Sequence, residues 1–146
     1  MAKGVVRTRA TWVEGLQFVA SAEASGGSFV MDGSPEHGGS DSGSRPTEVL
    51  LGALAGCMGM DVISILKKKR QKVTGLVVNV AGHRAEEYPR RYMRIELEFV
   101  VRGVDVAPNA VERSIELSHT KYCSVTASLN GEVVVGYRIE EEPACG

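Results

Sequence analysis

The sequence lacks several features that mark specialised classes of protein. Its 146 residues carry a formal net charge of −1, and the basic residues are scattered, so it shows no electrostatic footprint for nucleic acid. The first 20 residues contain no apolar segment behind a basic start, so no secretory signal is predicted and we expect a cytoplasmic protein. The length fits one domain with its own core, and we predict a single domain over residues 1–146.

Cysteine is also scarce. The chain has three cysteines, and an odd number argues against a disulfide framework. In the cytoplasm these residues would be thiols at rest. Cys145 lies in the acidic C-terminal segment EEEPACG, where we expect it to be frayed and incidental. Cys57 and Cys123 remain as the candidates for chemistry.

The one long apolar run lies within RPTEVLLGALAGCMGMDVISILKKKRQK, residues 45–72, with Cys57 in its middle. Pro46 suits the first turn of a helix, and the basic residues 67–70 suit its last turn. From residue 49 to residue 66 nearly every position is apolar or small, so the helix has no polar face. A helix that is apolar all round is typical of a core, and we predict a buried central helix.

The predicted central helix carries three glycines, Gly52, Gly56 and Gly59, each of which costs about 1 kcal/mol relative to alanine. They form a slim region around Cys57 that would let another backbone approach the thiol. The alternative is tight helix packing with an incidental buried cysteine. Together with the charge of Asp61, the glycines argue against a membrane span.

The segments on either side of this helix show the alternation of β-strands. We predict an opening antiparallel meander, two paired strands after the helix, a second helix and a final strand: residues 4–12, 16–20, 28–32, 73–83, 93–102, 108–119 and 133–139. Strands at both ends with helices between them predict an α+β fold with antiparallel sheets around the long central helix. The strands and the second helix of one chain are too few to bury a helix of this length on every side. We therefore expect a second subunit to complete the core in an obligate homodimer.

Residues 33–45, GSPEHGGSDSGSR, contain four glycines and four serines. We predict a long flexible loop that leads directly into the central helix. Such a loop in a small domain is often functional, and it could equally be a plain linker. His37 within it has no second histidine nearby, so we interpret it as solvated rather than as a metal ligand.

Cys57 and Cys123 are 66 positions apart, which excludes a local C-x-x-C motif. His119 and Cys123, four residues apart, could share a metal ion with Cys57. Three ligands without residues that would orient them are weak evidence for a metal site. We therefore predict no metal and no cofactor. A reactive thiol pair is chemically coherent. One thiolate would attack an oxidant and become a sulfenic acid, and the other thiol would condense with it.

Two segments together resemble the OsmC/Ohr family of osmotically inducible and organic-hydroperoxide-resistance proteins. They are PTEVLLGALAGCMGMDVISILKKKR and, about fifty residues later, ERSIELSHTKYCSV. The chain is most similar to the OsmC-like branch with KYCSV where other members have a Cys-Pro pair, and the order of elements agrees over nearly the whole chain.

The resemblance implies a thiol-dependent peroxidase for organic hydroperoxides in oxidative or osmotic stress defence. It maps the peroxidatic cysteine onto Cys57 and the resolving cysteine onto Cys123, with a dithiol, such as a lipoyl group, as the reductant. It further implies an intertwined homodimer in which sheets wrap paired central helices and the sites lie at the subunit interface. No metal or organic cofactor is implied.

The sequence departs from the family at the residues that activate the thiolate. Organic-hydroperoxide reductases of the family use an arginine from the first hairpin and a glutamate ten positions before the cysteine. Here the turn is Val-Glu-Gly and position 47 is threonine. Glu48 stands about half a turn of helix away from Cys57 and suits the helix start better. Arg7, Arg9 or Arg45 could supply the missing cation, and the sequence does not choose among them.

Asp61 lies one helical turn after Cys57, on the same side of the helix. An anion there would raise the pKa of the thiol unless a cation held it, and it could instead orient an arginine or bond a packed backbone. A thiol without a cation reacts slowly at neutral pH. A second hypothesis follows: a dimer that binds a small apolar or electrophilic molecule, or senses oxidation, with slow cysteines and with residues 33–45 as a pocket lid.

Overall fold

A computed structural model describes residues 4–143, and the chain divides into two units, one ending at Leu50 and the other beginning at Leu51. Each unit contains a three-stranded sheet. A long helix, α1, runs from Pro46 to Lys68 and so begins in the first unit and continues in the second. The predicted α+β class is confirmed, whereas a single domain over residues 1–146 stays a prediction.

The first unit opens with the predicted antiparallel meander. Its strands are β1 (Thr8–Glu14), β2 (Gln17–Ala22) and β3 (Ser28–Met31), paired in the order β1-β2-β3. Gly15, at the hairpin between β1 and β2, has a φ of 52°, a left-handed conformation that glycine adopts without strain. The indole N–H of Trp12 donates to the carbonyl of Gly15 at 2.8 Å and closes the turn.

The loop after β3 is ordered around the buried carboxylate of Asp32. This carboxylate accepts hydrogen bonds from the backbone N–H groups of Gly33, Ser40 and Ser42, and from the hydroxyl of Ser42. Residues 35–37 form one short 3₁₀ turn within the loop. The segment that its composition predicted to be flexible is therefore tied to one side chain at the end of the meander.

The second unit contains a mixed sheet, and the expectation of antiparallel sheets is wrong for its last strand. Strands β4 (Lys72–Arg84) and β5 (Tyr92–Val104) form the predicted antiparallel hairpin. Strand β6 (Glu132–Glu141) pairs with β5 in parallel. The chain between β5 and β6 contains helices, and a crossover of this length returns the chain to the end where β5 begins.

The crossover contains three consecutive helical pieces. Helix α2 runs from Pro108 to Leu117, a π-helical turn covers Ser118–Tyr122, and helix α3 covers Ser124–Ser128. The sequence predicted one helix as far as residue 119. The structure ends that helix two residues earlier and continues with the wider turn.

The core of the second unit lies between α1, α2 and the sheet. Helix α1 contributes a stripe at four-residue spacing, and β5 and α2 contribute the facing side chains: Leu54, Met58, Val62, Leu66, Ile95, Leu97, Phe99, Val101, Val111 and Ile115. Among the described residues, part of the surface of α1 stays uncovered, and Met60 is 75% exposed. Burial of α1 on all sides, as predicted, is therefore not reached by a single copy.

By length and mean hydropathy, 2.1 over its most apolar window, α1 would also qualify as a membrane span. Its buried stripe belongs to a hydrophobic cluster shared with the sheet, and it carries the carboxylate of Asp61 near its centre. Both features are those of a core helix.

Candidate functional site

Two thiols and one carboxylate from distant parts of the sequence meet in the second unit. The sulfur atoms of Cys57 and Cys123 and a carboxylate oxygen of Asp61 all lie within 4.8 Å of one another. Cys57 and Asp61 come from α1, and Cys123 lies between the π turn and α3. The fold therefore brings together the two cysteines that the sequence selected.

Helix α1 fixes the first two of these side chains. Cys57 is partly buried and directly precedes Met58, a member of the fully buried stripe. Asp61 follows one helical turn later, so its side chain lies on the same side of α1 as the thiol. The buried stripe anchors α1 and leaves Cys57 and Asp61 at its edge.

The π turn positions Cys123. The backbone N–H of Cys123 donates to the carbonyl of Ser118, five residues earlier, at 2.9 Å. A hydrogen bond over five residues defines a π-helical turn. Cys123 then caps α3, because its sulfur accepts a hydrogen bond from the backbone N–H of Thr126 at 3.3 Å. Its side chain is 4% exposed and belongs to the core cluster.

Ser118 holds the carboxylate. Its hydroxyl donates to Asp61 Oδ2 at 2.8 Å, and Ser118 itself is fully buried. The sequence analysis did not connect Ser118 with Asp61. One sequence signal could have predicted this hydrogen bond: Ser118 is a polar residue on the apolar face of the predicted second helix, and a buried hydroxyl needs a hydrogen-bond partner. Asp61, inside the apolar run of the central helix, was the matching acceptor.

The surroundings of Cys57 favour its neutral thiol. Burial raises the pKa of Cys57 most strongly, and the nearby Cys123 and Asp61 raise it further. The backbone N–H of Val125 donates to the Cys57 sulfur and opposes these effects by lowering the pKa. Among the residues described, no cation stands among the largest influences on this thiol.

The arginines considered as activating cations lie in the first unit. Arg45 forms an ion pair with Asp41, and Arg7 and Arg9 are exposed. Within residues 4–143, Asp61 forms no ion pair, so the expected alternative in which it orients an arginine is not observed. Glu48 accepts a hydrogen bond from the backbone N–H of Arg45 at 2.8 Å, and its predicted role at the helix start is confirmed.

The remaining histidine and cysteine candidates do not join this cluster. His119, within the π turn, is not among the three grouped ligand residues. Its Nδ1 atom is buried and has no hydrogen-bond partner in the described part of the chain. Cys145 lies outside the described residues.

This arrangement is suited to reactions between two sulfurs. A disulfide needs an S–S distance of about 2.05 Å, so the thiols of Cys57 and Cys123 must approach each other by less than about 3 Å. The same three ligand atoms are also the ones in the described chain that could hold a metal ion together.

Known proteins share both the sequence and the fold. The family model described as OsmC-like protein matches residues 39–138. Protein YhfA of Escherichia coli K12 is 40% identical over 135 residues, which cover 92% of this chain and 97% of YhfA. A hypothetical protein of Aquifex aeolicus has a TM-score of 0.82 at 28% identity, covering 95% of this chain and 98% of that one. The organic hydroperoxide resistance protein OhrB of Bacillus subtilis shares the fold, with a TM-score of 0.59 at 15% identity over 95% of this chain and 100% of OhrB.

Proposed function

Because the chain belongs to the OsmC-like protein family, we propose that it is a thiol-dependent peroxidase that reduces organic hydroperoxides through Cys57 and Cys123. The observation that carries this proposal is the separation of the two sulfurs, at most 4.8 Å although the residues are 66 positions apart. The name of the Bacillus subtilis relative supports the class of substrate. In this proposal an external dithiol is the reductant.

In the first step, the Cys57 thiolate attacks the distal oxygen of the hydroperoxide. The O–O bond breaks, the sulfur becomes a sulfenic acid, and the alkoxide leaves as an alcohol after taking up a proton. The Val125 N–H that donates to this sulfur stabilises the attacking thiolate. Cys57 is the more exposed of the two cysteines and therefore the one a hydroperoxide can reach.

In the second step, the Cys123 sulfur attacks the sulfenic acid of Cys57. An S–S bond forms, the S–O bond of the sulfenic acid breaks, and water leaves with the sulfenic hydroxyl group and the proton of the Cys123 thiol. A dithiol then reduces the disulfide by two exchange reactions and becomes a disulfide itself. The Thr126 N–H that donates to the Cys123 sulfur stabilises this sulfur as a leaving thiolate during the exchange.

A hydroperoxide assay tests the proposal. The metal-free chain should consume cumene hydroperoxide in the presence of a lipoyl dithiol, Cys57→Ser should abolish turnover, and Cys123→Ser should retain one oxidation that a dimedone probe traps as a sulfenic acid. Cys145→Ser is the matched control, because it removes the third thiol of the chain and keeps both Cys57 and Cys123. Equal rates for the native chain and Cys57→Ser would end the peroxidase proposal.

Two observations favour a second candidate, a small-molecule-binding or redox-sensing protein with slow cysteines. Burial and the neighbouring acid raise the pKa of Cys57, which slows its attack at neutral pH. The first unit also contains an apolar pocket, whose walls include Leu16, Phe18 and Met31 together with Gly33 and Ser34 of the following loop. Tight binding of an apolar ligand by a chain that turns over no hydroperoxide would select this candidate.

We also propose that the chain works as a cytoplasmic homodimer. In the second unit, an apolar groove runs along the exposed side of α1 and is lined by Gly56, Gly59, Met60 and Val78, among other residues. A methyl group added at Gly56 would meet no other packed atom within 4 Å, so packing among the described residues does not require this glycine. The backbone of a second copy of α1 fits such a surface, and it would complete the cover that α1 lacks.

Light scattering coupled to gel filtration tests the homodimer. The native chain should have twice the mass of its sequence, and Gly56→Leu, which fills the groove, should shift the mass toward that of one chain. Gly136→Ala is the control, because it adds a methyl group in open space on strand β6 of the sheet. A native mass equal to one chain would rule the dimer out.

A further inference from the structure

The carboxylate of Asp61 does not help a thiol peroxidase. It lies within 4.8 Å of both sulfurs, and an anion there opposes the thiolate that must attack the substrate. Within residues 4–143 it has no ion pair, and its one described side-chain partner is the hydroxyl of Ser118. A negative group beside two thiols, with no cation to balance it, is what a site for a metal cation requires.

The three groups match the ligand preferences of one ion in particular. Zn²⁺ takes thiolate sulfur and carboxylate oxygen together, in a tetrahedral arrangement. Cations such as Mg²⁺ and Ca²⁺ prefer oxygen alone, and Cu⁺ prefers sulfur alone. We propose that Cys57, Cys123 and Asp61 of the reduced chain bind one Zn²⁺ ion.

The geometry needs only a small contraction. With Zn–S bonds of about 2.3 Å and Zn–O bonds of about 2.1 Å, tetrahedral ligand atoms lie roughly 3.6–3.8 Å apart. The three atoms here already lie within 4.8 Å of one another. Cys57 and Asp61 are one turn apart on a single helix, and the third ligand comes from a separate element. Two ligands therefore come from one helix, and the third comes from the end of the π turn.

The surroundings of the carboxylate also fit a metal ligand. The Ser118 hydroxyl donates to Asp61 Oδ2 and so orients the carboxylate. Carboxylates that ligate metals are themselves held by hydrogen bonds of this kind. Three protein ligands leave the fourth position of the ion for water. Binding releases the two thiol protons to solvent, which balances the charge of the ion against two thiolates.

Zinc binding has one consequence for the reaction, and this consequence alone rests on the proposed function. Both sulfurs are occupied when the ion is bound, so the zinc-loaded chain cannot form a sulfenic acid on Cys57. Zinc should therefore inhibit hydroperoxide turnover until a chelator removes it. The binding itself can be measured without any turnover.

The experiment uses the reduced Cys145→Ser chain, in which the only cysteines left are those of the site. Titration against a chromogenic chelator should give one Zn²⁺ per chain, and Co²⁺ should produce a thiolate-to-cobalt charge-transfer band. Removal of a partner that merely supports a ligand costs about 10–100-fold in metal affinity. Cys57→Ser, Cys123→Ser and Asp61→Asn should each weaken zinc binding at least as much.

Two further variants make the result decisive. Glu87→Gln changes an exposed acid of the loop between β4 and β5 and should leave the affinity unchanged. Ser118→Ala keeps all three ligands but removes the support of Asp61, and should weaken binding about tenfold. It also serves if a ligand variant fails to fold. Absence of zinc binding by the reduced chain, or an affinity that Asp61→Asn and Ser118→Ala leave unchanged, would overturn the assignment.

Discussion

Treatment of the reduced, metal-free protein with one equivalent of cumene hydroperoxide should join Cys57 to Cys123 within one chain. The sulfurs lie at most 4.8 Å apart, so the sulfenic acid on Cys57 has its resolving thiol beside it. Capture by a second hydroperoxide or by a thiol of another molecule is slower, because those partners must first diffuse to the site. The product should be an intrachain disulfide.

The structure gives the size of the effect on stability. The new bond closes a loop between positions 57 and 123, which are 66 residues apart. In the chain-entropy model a loop of this length removes about 4 kcal/mol of conformational freedom from the unfolded chain. The free-energy cost of moving Cys123 out of its packed position offsets part of this gain, so we expect a net stabilisation of about 2–4 kcal/mol. At roughly 3 °C per kcal/mol, the unfolding midpoint should rise by about 6–12 °C.

The assay combines a peptide map with calorimetry at a fixed protein concentration. The map should show Cys57 linked to Cys123, and reduction with a dithiol should restore the lower midpoint. Cys123→Ser is the control, because its oxidised Cys57 lacks the Cys123 thiol and its midpoint should not rise. A map that links Cys57 to Cys145 or to another chain, or an intrachain bond with no gain in midpoint, would refute the reasoning from geometry.

Three further predictions follow from the same structure. In the presence of a chelator, alkylation of Cys57 should accelerate roughly tenfold per pH unit from pH 7 to about pH 9, because burial above all raises the pKa of this thiol and only the thiolate reacts; a flat rate in a peptide-resolved assay would contradict this. Asp32→Asn should lower the unfolding midpoint at pH 7. The Ser42 hydroxyl above all holds the pKa of Asp32 at about 2, below 3.8, so its stabilising contribution is present above pH 3.8 and is lost toward pH 2. The difference between the variant and the native chain should therefore shrink over that range, and a constant difference in a pH series of melting curves would be inconsistent with it. Met58→Ala, at a fully buried position, should cost about 2–5 kcal/mol of unfolding free energy in denaturant titrations, whereas Lys68→Ala on the exposed helix end should change it by less than about 0.5 kcal/mol.

The elements that local sequence signals encode were predicted well. Pro46 and the basic residues 67–70 bracketed α1, which the structure begins at Pro46 and ends at Lys68. The alternation of residues 93–102 likewise predicted β5. These signals are local, since capping preference, charge at a helix end and alternation of side chains act within a few residues.

The features that depend on distant partners were not predicted. The parallel pairing of β6 with β5 follows from where the crossover ends, and alternation alone does not distinguish it from an antiparallel pairing. The order of the loop after β3 depends on the single carboxylate of Asp32, whereas the glycines and serines around it predicted flexibility. The hydrogen bond between Ser118 and Asp61 likewise joins two helices far apart in the sequence.

The burial of the two sulfurs supports an order of events at the proposed site. Cys57 is partly exposed, whereas Cys123 is 4% exposed and packed in the core. A hydroperoxide from solvent can therefore meet Cys57 and not Cys123, and the buried thiol acts only after the first has been oxidised. The proposed zinc ion requires both sulfurs to be reduced. It also binds the carboxylate of Asp61, whose negative charge hinders the attacking thiolate. In these two proposals, the reduced site binds a cation, and the oxidised site holds a disulfide between Cys57 and Cys123. In both proposed states, the zinc complex and the disulfide, the Cys57 sulfur is bonded and cannot attack a hydroperoxide.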